Sequence, residues 1–199
     1  SFHVSNNIGW DKVANFLSVT VKQFGDLRMG KWRAHGYDDW GLITHYVDND
    51  NMIENDDPSI QVGTGYKQID ILNNTAWRVS EEMFIRFNNQ FSTTSEIPRY
   101  DNLQDWKDSN LKWSEWSYGP QTRFMSSLDI SSYKASKYFD GYNLTAAYQF
   151  IEEDRITRKF QSDEYNNTYI DVHVASLNWD LTLGKLAYGL ELTNNNVSS

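Results

Sequence analysis

Residues 142–150 read YNLTAAYQF, and in this stretch apolar and polar side chains alternate almost one by one. On one side of an extended chain the stretch places Tyr142, Leu144, Ala146, Tyr148 and Phe150. The residues between them are polar or small. A helix would mix the two sets, so the stretch predicts a β-strand with one apolar face and one polar face.

The same alternation recurs along most of the chain. We predict further half-apolar strands at Phe2 to Ile8, Val13 to Phe24, Gln68 to Val79, Met83 to Phe91, Thr122 to Ile130, Tyr169 to Leu181 and Leu186 to Leu192. Together these segments predict an all-β protein, an antiparallel meander of about eight long strands.

The segment Tyr169 to Leu181 breaks the pattern in its middle. Ile170, Val172 and Val174 occupy even positions, whereas Leu177, Trp179 and Leu181 occupy odd ones. An extra residue in the strand would bring both sets to one face. We therefore predict a β-bulge near Ala175.

The links between the predicted strands also alternate, between short and long. The short links are Gly9 to Lys12, Val79 to Glu82, Ser131 to Gly141 and Thr182 to Lys185, and the longer ones are Gly25 to Gly63, Ser92 to Gly119 and Ile156 to Asn166. Membrane barrels have short periplasmic turns on one side and large extracellular loops on the other. The sequence therefore predicts an incomplete segment of a transmembrane β-barrel.

Composition narrows the functional classes. The net charge of −9 argues against binding to nucleic acid, and the absence of cysteine removes disulfides, thiolate metal sites and cysteine nucleophiles. Aromatic residues make up 15% of the chain, which suits both membrane-interface girdles and sugar-binding platforms. No apolar run approaches the roughly 18 residues that a membrane-spanning helix needs.

Three blocks of sequence resemble the barrel domain of TonB-dependent outer-membrane receptors, especially those of Bacteroidetes-type bacteria. The most extensive runs from Phe91 to Leu103 (FSTTSEIPRYDNL), continues at Trp113 to Trp116 and ends with Tyr118 to Gln121 (YGPQ). The other two blocks are FGDLRMG at 24–30 followed by HGY at 35–37 and DW at 39–40, and AAYQ at 146–149 leading through IEEDR at 151–155 to Arg158 and Phe160.

This resemblance implies that residues 1–199 all belong to the barrel domain of such a receptor. A receptor of this kind has about 22 strands around an N-terminal plug domain, and it takes up a bulky nutrient such as an iron chelate, haem or cobalamin. The implied partners are outer-membrane lipid, the receptor's own plug domain, the TonB energy-transducing protein reached through that plug, and the small nutrient ligand. The implied location is the bacterial outer membrane. Because the chain begins and ends inside predicted strands, we expect a fragment of such a receptor.

We expect ligand contacts in the long loops, because loops on a rigid wall carry recognition and because aromatic and Arg side chains supply much of the contact energy. Arg99, Tyr100 and Asp101 follow Pro98, where a guanidinium, a phenol and a carboxylate could contact a ligand. Alternatively, Arg99 pairs with a neighbouring acid and holds the loop together. The full candidate set is Arg33, His35, Tyr37, Trp40, Arg99, Tyr100, Asp101, Trp113 and Trp116.

Other motifs favour plainer interpretations, and we predict neither a cofactor nor an enzyme. His35 and His45 could ligate haem iron, but their spacing fits solvated loop residues better. The acidic runs from Asp48 to Asn51 and from Glu54 to Asp57 lack the glycine and the ligand spacing of a calcium loop, so an acidic, solvated loop explains them better. Glu152 to Asp154 could serve a glycosidase, but alternation would send Glu152 and Asp154 to one face and Glu153 to the other.

Two rival folds remain open. A secreted carbohydrate-binding β-sandwich would explain the acidity and the aromatic content, although sandwich strands average about five or six residues and these are longer. A complete small barrel, acting as an enzyme or a pore, is the third possibility. In a barrel wall the apolar residues share one convex face, whereas in a sandwich they are buried between two packed sheets.

Overall fold

The computed structural model describes residues 1–32, 34 and 36–199. Strands account for 68% of the residues and helix for 2%, which confirms the all-β prediction. Within the described residues, no helical segment has the length and hydropathy of a transmembrane helix.

Eight long strands and several short ones make up the described chain. The long strands are β1 (Phe2–Gly9), β2 (Val13–Phe24), β7 (Tyr66–Arg78), β8 (Met83–Thr94), β12 (Trp113–Ser132), β13 (Gly141–Lys159), β14 (Tyr165–Leu183) and β15 (Leu186–Ser198). The short elements are β3 (Leu27–Arg28), β4 (His45–Asp48), β5 (Asn51–Glu54), β6 (Ile60–Gln61), β9 (Ile97–Pro98), the helix α1 (Tyr100–Leu103), β10 (Trp106–Lys107) and β11 (Asn110–Leu111).

The long strands form one antiparallel meander in the order β1-β2-β7-β8-β12-β13-β14-β15, with the short β9 added beside β12. Each long strand pairs with the next one along the chain, as the sequence predicts. The sheet does not close, because in the described chain β1 and β15 do not pair with each other. The predicted meander of about eight long strands is therefore confirmed as an open sheet.

The register places the predicted apolar residues on one face of this sheet, which we call the apolar face. Directly opposed residues point to the same side, and one such row runs Trp77, Ile85, Ile130, Leu144, Trp179 and Leu190 across neighbouring strands. Eight further apolar or aromatic residues share this face: Leu17, Val19, Val21, Ile69, Ile71, Phe87, Tyr148 and Leu192.

The apolar face is uncovered. Phe87 is 44% exposed and Leu190 is 52% exposed, although both are large apolar side chains. In a sandwich these residues would be buried against a second sheet. The exposure of this face therefore argues against the β-sandwich and agrees with a wall whose apolar side meets something other than water.

The opposite face, the polar face, carries a hydrogen-bonded network. Asp129 accepts hydrogen bonds from Asn88 Nδ2 at 3.0 Å and from Thr145 Oγ1 at 2.7 Å. On the neighbouring strands, Lys22 Nζ lies 2.9 Å from Asp70. Because buried or half-buried polar groups need partners, these contacts stabilise the polar face.

The bulge predicted near Ala175 is wrong. The pairing of β14 with β13 runs from Gly141–Thr182 to Arg158–Tyr165 without a register shift. The apolar side chains of β14 lie on the apolar face at Leu177, Trp179 and Leu181 and on the polar face at Ile170, Val172 and Val174. The reason is a change in the surroundings of the two faces along the strand. On the N-terminal side of Ala175, Val172 and Ile170 lie on the polar face. The alternate residues of the same strand, His173 and Asp171, lie on the apolar face.

The four short links are confirmed, but two long ones are shorter than predicted. β12 begins at Trp113 rather than Thr122, so Trp113 and Trp116 lie on a strand and not in a loop. β13 and β14 extend to Lys159 and back from Tyr165, which leaves a five-residue turn instead of the link Ile156 to Asn166. β12 continues through a register shift between Tyr118 and Gln121, where Gly119 has a φ of +91° that few other residues adopt.

The most buried apolar side chains lie in the long links rather than in the sheet. Ile43 and Leu111 are each 2% exposed, and they come from the first and second long links respectively. These two links therefore have a packed interior of their own above the loop end of the sheet.

Candidate ligand site in the long links

A cavity of about 180 Å³ opens where the first long link meets the second and the start of β12. The hairpin β4–β5 supplies Tyr46 and Val47, and the helix α1 supplies Tyr100 and Leu103. Trp113 and Trp116 of β12 form a further wall. Three of the predicted ligand contacts, Tyr100, Trp113 and Trp116, are thus brought together around one cavity.

Arg99 lies directly behind this cavity and is held on several sides. Its guanidinium donates to both carboxylate oxygens of Asp101, at 3.0 and 2.6 Å. It also stacks over the rings of Trp116 and Tyr118, at 5.3 and 5.4 Å from their centroids, and its backbone N–H donates to the carbonyl of Trp116 at 2.9 Å. The structure therefore contains the ion pair of the loop-stabilising alternative, while ligand contact by Arg99 and Asp101 stays a prediction.

The ion pair between Arg99 and Asp101 has an electrostatic consequence. Hydrogen bonding to the guanidinium holds the pKa of Asp101 below the ordinary value for an aspartate. The same bond raises the pKa of Arg99. Both groups therefore remain charged across the physiological range, and their charges largely cancel at this position.

Of the four candidates in the first long link, the structure describes Tyr37 and Trp40. Tyr37 and Trp40 are 70% and 63% exposed, and the N–H of Trp40 donates to the carbonyl of Tyr37 at 3.2 Å. Neither lines the cavity. Arg33 and His35 fall outside the described residues, so their role in binding stays a prediction.

Arg158, which the sequence does not single out as a site residue, is central to this region. Its side chain is only 12% exposed. It donates to Asp50 at 2.7 and 2.9 Å, to Glu115 at 2.9 Å and to the carbonyl of Ser162 at 3.1 Å. It thereby joins the hairpin tip to strand β12 and to the β13–β14 turn.

The hairpin β4–β5 presents Asp50 at its tip. Asn49 and Asp50 have φ values of 47° and 56°, as the two central residues of a type I′ turn require, and Asn and Asp tolerate this conformation better than most residues. Asp50 also accepts a hydrogen bond from Ser114 at 2.9 Å. Because Tyr46 and Val47 of the same hairpin line the cavity, the Asp50–Arg158 contact holds one cavity wall in place.

Hydrogen bonding from Arg158 holds the pKa of Asp50 below its ordinary value of 3.8, and the same contact raises the pKa of Arg158. A carboxylate whose pKa is lower in the folded state stabilises the fold above its unfolded pKa. That contribution disappears as the pH falls through the lowered folded pKa. The contact is therefore fully formed at neutral pH and is lost only in strong acid.

We expect Arg158→Ala to release the hairpin from the sheet. Amide hydrogen exchange in residues 45–54 should accelerate on the order of tenfold, because Asp50 and Glu115 then lose the cation that joins the hairpin to β12 and β13. Arg155→Ala is the matched control, since Arg155 is exposed on the same strand and, among the described residues, its side chain makes one hydrogen bond, at 3.4 Å to Thr168. Equal exchange in the two variants would show that Arg158 does not hold the hairpin.

The remaining motifs take ordinary structural positions. The ring of His45 packs edge-on against Trp106 at 5.3 Å, and its Nδ1 lies 3.1 Å from Thr44 Oγ1. The run from Asp48 to Asn51 forms the hairpin turn itself. Across the part of the chain that is described, no group of three or more His, Cys, Asp or Glu side chains is arranged to hold a metal ion.

Comparison of the chain with protein-family models, with curated proteins and with solved structures finds no match. The sheet, the cavity and the contacts around the cavity are therefore the features of this chain that indicate a function.

Proposed function

We propose that this chain forms part of the wall and the extracellular loops of an outer-membrane receptor of the TonB-dependent type. Such a receptor imports a bulky nutrient, for example an iron chelate, haem or a cobalamin. The observation that carries the proposal is the uncovered apolar face on long, meandering strands. Exposing this face to water would cost free energy, whereas in a bilayer lipid covers such a surface.

Strand length supports the proposal. A tilted strand crosses the hydrocarbon layer with about 9–11 residues, and the strands β2, β7 and β8 contain 12, 13 and 12 residues. β12, β13 and β14 contain 20, 19 and 19 residues, which is enough to cross the layer and to continue beyond it. Strands of ordinary soluble domains are shorter.

The ends of the apolar band also fit a membrane wall. At the short-turn end, Trp77 and Trp179 lie in one row of the apolar face and are 47% and 43% exposed. At the loop end, Phe150 is followed on the same face by Glu152, which faces Asp171. Aromatic side chains favour the interface between lipid and water, and carboxylates beyond them suit the hydrated zone.

The polar face suits the inside of a barrel. Its Asn, Asp, Lys and Ser side chains bond to each other across strands, for example at Asp70 and Asp129. A lumen that holds water or a plug domain needs such a surface. In this account the long links stand on the outer side of the membrane, and the cavity lined by Tyr100, Trp113 and Trp116 is where the ligand first meets the wall.

Ligand uptake tests the proposed function directly. We expect Arg99→Ala and Tyr100→Ala, made in the whole receptor, to weaken uptake by roughly 5- to 30-fold, as for central aromatic and Arg contacts, while abundance in the outer membrane stays unchanged. Trp10→Ala is the control, because Trp10 is 63% exposed in a short link far along the strands from the long links. If abundance falls in step with uptake, Arg99 and Tyr100 hold the loop together and do not bind ligand.

A further inference from the structure

We infer that the cavity between hairpin β4–β5, helix α1 and the start of strand β12 binds a flat ring group that is neutral or positively charged. The inference rests on the proposed function in taking that ring to belong to the imported nutrient. The cavity itself and the charges around it are properties of the described residues.

The size and lining of the cavity define the group that fits. A volume of about 180 Å³ is below the roughly 300 Å³ or more of sites that enclose a whole drug-sized ligand, so the cavity takes one part of a larger molecule. Apolar and aromatic side chains dominate the walls. They include Ile43, Val47, Val62, Leu103, Trp113 and Trp116. A flat apolar ring would gain most from such walls.

The rings that form the cavity are already held in position. Arg99 stacks over Trp116, and Lys112 lies 4.8 Å from the ring centroid of Trp113. The positive charges of these two residues are balanced by Asp101 and Asp105, at 2.6 and 3.8 Å. The walls are therefore preformed, which lowers the entropic cost of binding.

Two polar side chains of the lining are hydrogen-bonded within the protein. Ser114 donates to Asp50 at 2.9 Å, and the amide of Gln104 donates to the carbonyl of His45 at 2.9 Å. A sugar ring needs several partners for its hydroxyls, because unpaired buried hydroxyls are costly. Because apolar and aromatic side chains dominate its walls, the lining favours an aromatic or aliphatic ring over a carbohydrate.

The charge of the lining disfavours anions. Among the described residues that line the cavity, Glu96 and Glu115 carry a formal charge at neutral pH. Glu115 is already compensated, since it accepts from Arg158 and from the hydroxyl of Tyr165, both at 2.9 Å. Glu96 is exposed and has no ion-pair partner in the described part of the chain. An amine on the ring would meet this carboxylate, and a carboxylate on the ring would be repelled.

Three probes with the same ring and different charges test this inference: phenethylamine, 2-phenylethanol and phenylacetate. Binding to the whole protein in detergent micelles is followed by ligand-observed NMR titration. We expect the amine to bind on the order of fivefold more tightly than the alcohol, the size of an exposed charge pair, and phenylacetate to bind most weakly. Glu96→Gln should remove the preference for the amine, whereas Glu81→Gln, in a short link, should keep it.

A second pair of variants tests the location. Trp113→Ala should weaken the binding of all three probes, whereas Trp106→Ala should not, because Trp106 lies nearby without lining the cavity. Equal or tighter binding of phenylacetate, no effect of Glu96→Gln, or tighter binding of methyl glucoside than of 2-phenylethanol would overturn the inference. If the probes fail while Arg99→Ala still reduces uptake, the inference alone falls. If the probes bind to a protein that is not in the outer membrane, the proposed function alone falls.

Discussion

Phe87→Arg should lower the free energy of unfolding by about 2–4 kcal/mol when the protein is folded in a bilayer. Phe87 lies on the apolar face of β8, between Thr75 and Leu128, and one row from the middle of the apolar band. If lipid covers this face, the new guanidinium must either enter the hydrocarbon layer or distort it, and both are costly. Urea titration of the protein in lipid vesicles measures the change.

Gln90→Arg is the matched control on the same strand. Gln90 points to the polar face, is exposed, and lies between Leu72 and Met125 in the register. An arginine there would meet water or polar groups, so the change should stay within about 0.5 kcal/mol. If both variants lose the same free energy, or if Phe87→Arg loses none, the apolar face does not contact lipid.

The second large effect concerns the solvent that the chain requires. In aqueous buffer without detergent we expect this chain to form no soluble monomer. Its apolar face is uncovered over most of the sheet, with Leu17, Phe87 and Leu190 each more than a third exposed. In addition, strands β1 and β15 each leave one edge of the sheet without a partner in the described chain, and such edges associate.

Light scattering coupled to size-exclusion chromatography measures this directly. The chain should elute as aggregates in plain buffer and as a defined particle in detergent, which covers the apolar face as lipid would. A monomer in plain buffer that unfolds in one cooperative transition would contradict the account. That result would reopen the soluble carbohydrate-binding alternative.

The alternation of apolar and polar side chains predicts the sheet well where the surroundings of each face stay the same along the strand. From Tyr142 to Phe150, one side is apolar and the other polar or small, and the pairing follows the same parity on both neighbouring strands. Beyond Phe150 the rule fails, because Ile151 and Val172 become half-buried on the polar side while Glu152 and Asp171 face the apolar side. A pattern that changes sides can mean a bulge or a change of surroundings, and the residues alone do not distinguish them.

The same change of surroundings explains why the sequence does not predict the parts of β12, β13 and β14 that lie next to the long links. Trp113 to Tyr118 follows no simple alternation, so the sequence predicts a loop there, although the segment pairs with β13 apart from a register shift at Ser114. The strand continues there because backbone pairing with a long neighbouring strand does not require an apolar face. Trp113 and Trp116 thus remain candidate contacts, but on a more rigid element than a loop.

The candidate site was only partly visible in the sequence. The pairing of Arg99 with Asp101 is local and was one of the predicted alternatives. In contrast, Arg158 and Asp50 are separated by 108 residues, and no local pattern links them. The cavity likewise draws its walls from three distant segments, so its existence depends on how the two long links pack.

Spin labels along β8 test the central claim, that the apolar face is covered by lipid, most directly. The chain contains no cysteine, so each introduced cysteine gives one labelled position. In a membrane wall, labels at Ile85, Phe87 and Phe91 should collide mainly with oxygen, which concentrates in lipid. Labels at Arg86, Asn88 and Gln90 should collide mainly with a water-soluble nickel complex. The ratio of the collision rate with oxygen to that with nickel should therefore alternate with a period of two residues. A ratio that favours nickel at all six positions, or low accessibility to both reagents at Ile85, Phe87 and Phe91, would contradict a lipid-facing wall.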